Sequence, residues 1–315
     1  LLGYQYRKIK KLGSLSAPSK GKKIEISKSQ KSKLLSFTKE LKGYIVWSSN
    51  RYGNHDILMM SFPDLFISRL TNHSHTETYP RISPDGKNVV FCRSQIPWVS
   101  QRDYIPWDVY LLDIKTKEVS LVAKNANTPT WSNDGKKVYF QRRGFEFIEH
   151  DLETKKEKVL FKNENYLETP HYSNKLNKMA VTIRGRKRMT AVYSLDGKFI
   201  RVGGGCQLTW AHDYSYLYFI DHGGMGQNAL YKYLPNTQKI IKWLDLLGSY
   251  SHEYFPKLSN TSDFLVIGAS SLGHEHDTAD YEIFLWEVDS KADSVVRITY
   301  HTGNDCWPDI FLSLD

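Results

Sequence analysis

Several signatures of catalysis and metal binding are missing from this 315-residue chain. Its three cysteines, Cys92, Cys206 and Cys306, form no CxxC or CxxCH pair, so zinc-ribbon and c-type haem sites lack their ligands. No G-x-S-x-G nucleophile motif of serine hydrolases occurs. The two glycine runs, Gly203–Gly205 and Gly223–Gly224, lack the Lys and Ser/Thr that a phosphate-binding loop needs. Because the number of cysteines is odd, at least one thiol is free, and we expect all three to be buried packing residues.

Long apolar runs are also missing. No stretch reaches the roughly eighteen apolar residues that a membrane-spanning helix requires. The chain starts at Leu1 rather than Met, so we expect any secretory signal or lipid anchor to lie before it.

The positive charge is concentrated at one end of the chain. The formal net charge is +9, but residues 1–42 alone carry twelve Lys/Arg and two acids, which leaves the remaining chain near −1. A nucleic-acid-binding domain carries its basic residues on a folded surface. A near-neutral body with a basic leader therefore makes nucleic acid an improbable partner.

What the chain does contain is an internal repeat. Segments such as YPRISPDGKNVVF (79–91) and TPTWSNDGKKVYF (128–140) share a Pro, a short strand, a polar turn and a second strand. The Pro position recurs at intervals of 49, 41, 38, 48 and 52 residues. The six copies of this position are Pro80, Pro129, Pro170, Leu208, Pro256 and Pro308. Each interval accommodates four short strands, and Ser-Pro-Asp-Gly and Ser-Asn-Asp-Gly supply the turns.

The repeats predict an all-β, six-bladed β-propeller of four-stranded antiparallel blades over residues 43–315. The segment from Tyr44 supplies second, third and fourth strands with no first, and Cys306–Ser313 is a first strand with no followers. We expect the C-terminal strand to complete the first blade. Residues 1–42 are predicted to be a basic N-terminal arm, poorly ordered or docked on a partner, which could also contact anionic lipid.

The repeat resembles that of the TolB-type propeller family, in which P-x-W-S-P-D-G-K-x-I-x-F is followed by an Asp-Ile-Tyr strand. YPRISPDGKNVVF followed by WDVYLLD, and SSNRYGNHDI in the closing blade, carry this resemblance. It implies a periplasmic or cell-envelope location. It leaves function open, because such propellers include interaction modules, peptidase domains and polysaccharide lyases.

Propeller topology separates the connections into two faces. On the loop face lie the loops from second to third strand and from each fourth strand to the next blade; the turn face holds the other turns. Eight of the eleven histidines fall in loop-face segments. Imidazoles that converge on a funnel mouth can bind a divalent metal, although no cofactor is required by any motif. The candidate ligands are His252, His274, His276 and His301.

A ligand- or partner-binding surface is also predicted on the loop face. The long segment Ser94–Trp107 offers aromatic anchors, and the hairpin tips of blades three and four are basic and suited to an anionic partner or saccharide. The candidate residues are Trp98, Trp107, Arg142, Arg143, Arg184, Arg186, Lys187, Arg188, His252, Glu253 and Asp305. By contrast, Asp56, Asp108 and Asp280 recur at the start of third strands, and we expect them to bind loop amides.

Two functions follow. The first is a non-catalytic propeller in an exported assembly, binding a protein partner in a larger complex or a glycan. The alternative is a metal-dependent lyase or hydrolase acting on an acidic saccharide, with the Arg184–Arg188 tip holding its carboxylates.

Overall fold

The structure, a computed structural model, describes residues 21–313. Its strands form six four-stranded antiparallel sheets, as the repeats predict for a six-bladed propeller. Blade one comprises β1 (Gly43–Ser49), β2 (Asp56–Phe62), β3 (Ile67–Arg69) and β24 (Asp305–Leu312). Blade two comprises β4 (Glu77–Ile82), β5 (Asn88–Ser94), β6 (Trp107–Asp113) and β7 (Val119–Ala123). Blade three comprises β8 (Ala126–Trp131), β9 (Lys137–Arg142), β10 (Glu146–Asp151) and β11 (Glu157–Lys162).

The other three blades follow the same order. Blade four comprises β12 (Tyr166–Ser173), β13 (Lys178–Arg184), β14 (Arg188–Ser194) and β15 (Phe199–Gly203). Blade five comprises β16 (Cys206–Trp210), β17 (Leu217–Gly224), β18 (Gln227–Leu234) and β19 (Lys239–Leu244). Blade six comprises β20 (His252–Leu258), β21 (Phe264–Ser270), β22 (Glu282–Glu287) and β23 (Val296–Arg297), with a 3₁₀ helix at Ala292–Ser294 before β23.

The two ends of the propeller sequence meet in blade one. Strand β24 pairs antiparallel with β1, with Gly43 opposite Leu312 and Ile45 opposite Ile310. Pairing the last strand with the first removes the exposed edges that an open ring would leave. The prediction that the C-terminal strand completes the first blade is confirmed.

Every first strand contains a β-bulge just before or at the Pro position. The register shift between Thr78 and Arg81 in blade two is typical of all six. At each bulge the residue preceding the Pro position has a positive φ, which is uncommon outside glycine. These residues are Tyr79, Thr128, Thr169, Gln207, Phe255 and Trp307, with φ between 47° and 60°. A bulge re-aims the side chains around it, and here all six line the central channel.

The core lies between neighbouring blades, where second and third strands face one another. Trp47, Trp107 and Trp286 are its largest side chains and are almost completely buried. The three cysteines are buried free thiols, as predicted. The fourth strands are more exposed: the side chains of Ile240 and Ile241 in β19 are each 47% exposed to solvent.

A helix, α1 (Lys28–Thr38), precedes the ring and packs against it. Ser27 caps it through a reciprocal capping box with Gln30, and Leu34 and Thr38 are buried. Lys33 Nζ donates to the carbonyl oxygens of Asp293 and Val295 at 2.8 and 3.1 Å. Residues 28–38 thus pack against blade six. Residues 1–20 of the predicted arm lie outside the described residues, and within 21–313 neither helix has the length and apolarity to cross a bilayer.

Ring closure by β24 generates a stability prediction. Ile310 is 3% exposed and packs with Ile45 and Trp47, so Ile310→Ala should lower the free energy of unfolding by about 2–5 kcal/mol. The matched control, Ile240→Ala on an outer strand, should change it by less than about 1 kcal/mol. Urea unfolding followed by tryptophan fluorescence measures both, and equal shifts for the two variants would contradict a closing role for β24.

Candidate functional site

The long loop of blade two crosses the channel mouth on the loop face. Its tip is held by Asp277 of blade six, whose Oδ1 accepts a hydrogen bond from the Gln101 amide at 2.9 Å and whose Oδ2 accepts from Ser100 Oγ. Burial raises the pKa of Asp277 above its ordinary value, although the hydrogen bonds from Ser100 and Gln101 act to lower this pKa. Arg102 Nη2 donates to the carbonyl oxygen of His274 at 2.7 Å. Loops from blades two and six are therefore fastened together over the axis.

Gln101 closes the channel beneath this crossing. Its Oε1 accepts from Trp307 Nε1 at 2.7 Å, and its Nε2 lies 3.4 Å from His55 Nε2. Trp307 in turn packs against Phe255 and Tyr79, with ring centroids 4.2 and 4.6 Å away. The loop-face end of the channel is thus filled by side chains.

The four histidines predicted as metal ligands differ in exposure, although His274 and His276 line the same cavity on the loop face. His274 is exposed and His252 is half-buried, whereas His276 and His301 are buried. His276 packs edge-on against Phe255 at 4.9 Å, and burial followed by nearby cations lowers its pKa well below the ordinary value. His301 Nδ1 accepts from the Gly303 amide at 3.0 Å. Among residues 21–313, no group of three or more His, Cys, Asp or Glu side chains is placed to hold a metal.

Three residues assigned to the binding surface are buried, and for them the prediction is wrong. Trp107 is 1% exposed and its indole N–H donates to the carbonyl oxygen of Asp103 at 2.8 Å, so it is a packing residue. Glu253 is fully buried and accepts from the Leu246 amide at 2.6 Å, and burial raises its pKa to about 8. Asp305 is also fully buried and is paired with Arg51 at 2.6 Å. Trp98, in contrast, remains partly exposed.

The basic tips of blades three and four divide into paired and unpaired cations. Arg142 is bound to Glu157 at 2.6 Å, and Arg184 forms two hydrogen bonds to Glu168 at 2.7 and 2.9 Å. Arg188 also lies 3.7 Å from Glu168. The remaining three cations are exposed and form no ion pair with a described residue. These are Arg143, Arg186 and Lys187.

Beside these tips the loop face holds a shallow cavity of about 170 Å³. Arg102 and Arg188 line it together with Glu168, His222 and His274. Two guanidiniums against one carboxylate that Arg184 already engages leave a positive local balance. The cavity therefore suits an anionic group more than a cation.

The recurring third-strand aspartates have the structural role expected of them. Asp108 Oδ1 accepts from the Asn125 amide at 2.8 Å, and Asp280 Oδ1 accepts from the amides of Ser271 and Leu272 at 2.9 Å each. The carboxylates of Asp108 and Asp280 thus anchor the loops beside their strands, which confirms the prediction for these two, and Asp56 Oδ2 accepts from Arg69 Nη2 at 2.7 Å.

An apolar surface on the loop face went unnoticed in the sequence. Met225, Leu247 and Leu272 are 70%, 57% and 76% exposed and lie in loops of blades five and six. The Met225 amide donates to Asp245 at 3.0 Å, which ties the β17–β18 tip to the connection carrying Leu247. The one signal in the sequence was that each of the three directly adjoins a glycine.

These features define a six-bladed propeller whose channel is filled at its loop-face end, and its fold is that of TolB propellers. TolB from Acinetobacter baumannii superimposes with a TM-score of 0.63 at 15% identity, over 85% of this chain and 66% of that one. A structure assigned to TolB from Agrobacterium tumefaciens gives 0.62 at 15% identity, over 84% and 92%. Oligogalacturonate lyase from Vibrio parahaemolyticus gives 0.51 at 15% identity, over 81% and 74%. No protein-family model and no curated protein matches the sequence.

The loop crossing predicts a local effect of Asp277→Ala. Because two donors on the blade-two loop lose their acceptor, the segment around Arg102 should open, and trypsin should cleave after Arg102 several times faster than in the parent chain. The free energy of unfolding should fall by about 1–3 kcal/mol. The exposed Asp64→Ala serves as control. Unchanged cleavage after Arg102 in Asp277→Ala would show that Asp277 does not hold the loop.

Proposed function

We propose that this chain is a non-catalytic binding module whose loop face docks a protein partner within an exported assembly. The observation that carries this proposal is the exposure of Met225, Leu247 and Leu272 on neighbouring loops of that face. Exposure of large apolar side chains to water is unfavourable, burial against a partner removes that cost, and a group of such side chains marks an interaction surface.

The placement of charge describes the partner. Blade four, adjacent to blade five, carries the unpaired Arg186 and Lys187 at its loop-face tip, and blade three adds Arg143. On the loop face, the unpaired cations of blades three and four thus precede the exposed apolar residues of blades five and six around the ring. A protein with an apolar anchor and acidic residues beside it would complement both features, and the charges would accelerate its association.

The closed channel mouth favours docking over catalysis at this face. Gln101 and Trp307 fill the axis, and Asp277 fixes the loop that covers it. A rigid, filled surface presents side chains to a partner with little loss of conformational entropy. The exported location is supported by the fold shared with TolB propellers.

The partner-binding prediction concerns the double variant Met225→Ser/Leu272→Ser. Removing two exposed apolar side chains should leave stability nearly unchanged and reduce partner retention by about tenfold or more, because interface anchors carry most of the binding energy. Affinity capture from the native host, with quantitative mass spectrometry of retained proteins, measures it. Ile240→Ser/Ile241→Ser, on the outer edge of blade five, is the matched control. Retention of the same proteins by both variants, or of none by the parent chain, would contradict the proposal.

The alternative is a metal-dependent lyase or hydrolase acting on an acidic saccharide. The cavity beside Arg102 and Arg188, with His222 and His274 on its wall, is the observation in its favour. It requires imidazoles to converge, and within residues 21–313 no three potential ligands do so. This geometry leads us to favour the binding module.

Elemental analysis separates the two functions. For the binding module, purified protein equilibrated with Mn²⁺ or Zn²⁺ and then desalted should retain less than about 0.2 metal ions per chain, since a site needs three or four convergent ligands. His274→Ala should behave like the parent protein. One metal ion per chain, lost in His274→Ala, would instead support the enzyme.

A further inference from the structure

On the turn face the channel opens into a cavity of about 290 Å³. Its walls are the ends of first strands and the turns that follow them, and the loop-face crossing lies at the other end of the axis. The ionisable side chains that line it come from five different blades. They are Arg81, His171, His212, Tyr214, Lys257 and Asp309.

The repeat explains why these residues meet. The position directly after each bulge Pro is occupied in turn by Arg81, Thr130, His171, Thr209, Lys257 and Asp309. The sixfold arrangement brings equivalent positions to one level around the axis. Five of the six line the turn-face cavity and Thr209 lines the channel just beyond it.

Lys257 is the charged member of this ring that lacks a partner among the described residues. Its Nζ forms no hydrogen bond and no ion pair with any residue from 21 to 313. Burial, and then the charge of Arg81, lower the pKa of Lys257 to about 8, while Asp309 opposes the shift. A partly desolvated ammonium group that has no hydrogen-bond acceptor destabilises the folded protein.

Asp309, the nearby acid, is already engaged. Its Oδ2 accepts from the Ile82 amide and its Oδ1 from the Ile310 amide, both at 2.9 Å. The carboxylate thus ties blade one to blade two and leaves the Lys257 ammonium without a direct acceptor.

His171 adds a neutral donor. Its Nδ1 accepts from the Trp210 amide at 3.3 Å, which places the proton of the neutral ring on Nε2. Burial, followed by the charge of Lys257, lowers the pKa of His171 well below its ordinary value, so the ring stays neutral at pH 7. Arg81 is a second cation; its Nη1 donates to the Pro80 carbonyl oxygen at 2.7 Å.

We propose that the turn-face cavity binds a small anion bearing phosphate or carboxylate groups, with Lys257, Arg81 and His171 as its donors. Such an anion supplies the acceptor that the Lys257 ammonium lacks, in charge-assisted hydrogen bonds. Two cations against one amide-bound carboxylate give the cavity its positive balance. The site is independent of the partner surface on the loop face.

Binding is coupled to protonation of Lys257. Because the free protein holds the pKa of Lys257 near 8, an anion that favours the ammonium raises this pKa and takes up a proton. Affinity is therefore greatest below pH 8 and falls as the pH rises above it. The other ionisable groups around Lys257 in the cavity are Arg81, His171, His212, Tyr214 and Asp309.

Isothermal titration calorimetry with inorganic phosphate and with malonate, titrated separately, tests the proposal. We expect saturable binding of at least one anion at pH 7, and the tighter of the two identifies the ligand chemistry. Malonate carries the same charge at pH 7 and pH 9.5, so a roughly tenfold or greater loss of its affinity at pH 9.5 reports Lys257 deprotonation. This comparison needs no variant. If phosphate binds and malonate does not, sulfate replaces malonate in this comparison, since its charge is also the same at both pH values. The affinity for sulfate should then fall roughly tenfold or more between pH 7 and pH 9.5.

Lys257→Thr is the informative substitution, since blades three and five already carry Thr130 and Thr209 at the equivalent position. It should fold, with an unchanged or higher Tm because an unpaired ammonium is removed, and should bind the anion at least about tenfold more weakly. The exposed Lys239→Thr is the matched control and should bind like the parent protein. Absence of saturable binding of either anion by the parent chain, or equal affinity in Lys257→Thr, would overturn the proposal.

Discussion

The antiparallel pairing of β24 with β1 is the constraint on which the other features of the molecule depend. It joins segments about 270 residues apart, as in the pair Gly43 and Leu312, and it fixes blade one between blades two and six. Only a closed ring brings the six first strands around one axis. The filled loop-face mouth and the open turn-face cavity are both consequences of that arrangement, because each is assembled from side chains of several blades.

Much of this fold could be predicted because its signals are local and repeated. Turn formers at constant offsets after each Pro position identify hairpins, and four strands per interval identify blades. The orphan strand at Cys306–Ser313 even indicates closure. The packing of Lys33 and Phe37 of α1 on blade six was not predictable in this way, because it depends on long-range contacts with no repeated counterpart.

The site was predicted less well, for a physical reason. Topology alone correctly assigns a loop to a face of the propeller. It does not determine whether the side chains of that loop point outward. Trp107, Glu253 and Asp305 lie at strand ends on the predicted face, yet their side chains turn into the blades. Clustering of histidines in sequence likewise says nothing about convergence: His276 enters an aromatic cage while His274, two residues earlier, remains exposed. The ring containing Arg81 and Lys257 could be identified in the aligned repeats as the position directly after the Pro. The turn face, however, has no long loop in the sequence that would indicate a binding site.

The bulge repeated in every first strand has a further consequence. Because the backbone geometry at that position is set by the blade and not by the side chain, residues as different as Arg81, Thr130 and Asp309 occupy it without altering the scaffold. Related chains could thus exchange any of the six side chains around the channel, each independently of the other five. Such an architecture separates the evolution of ligand selectivity from the evolution of foldability.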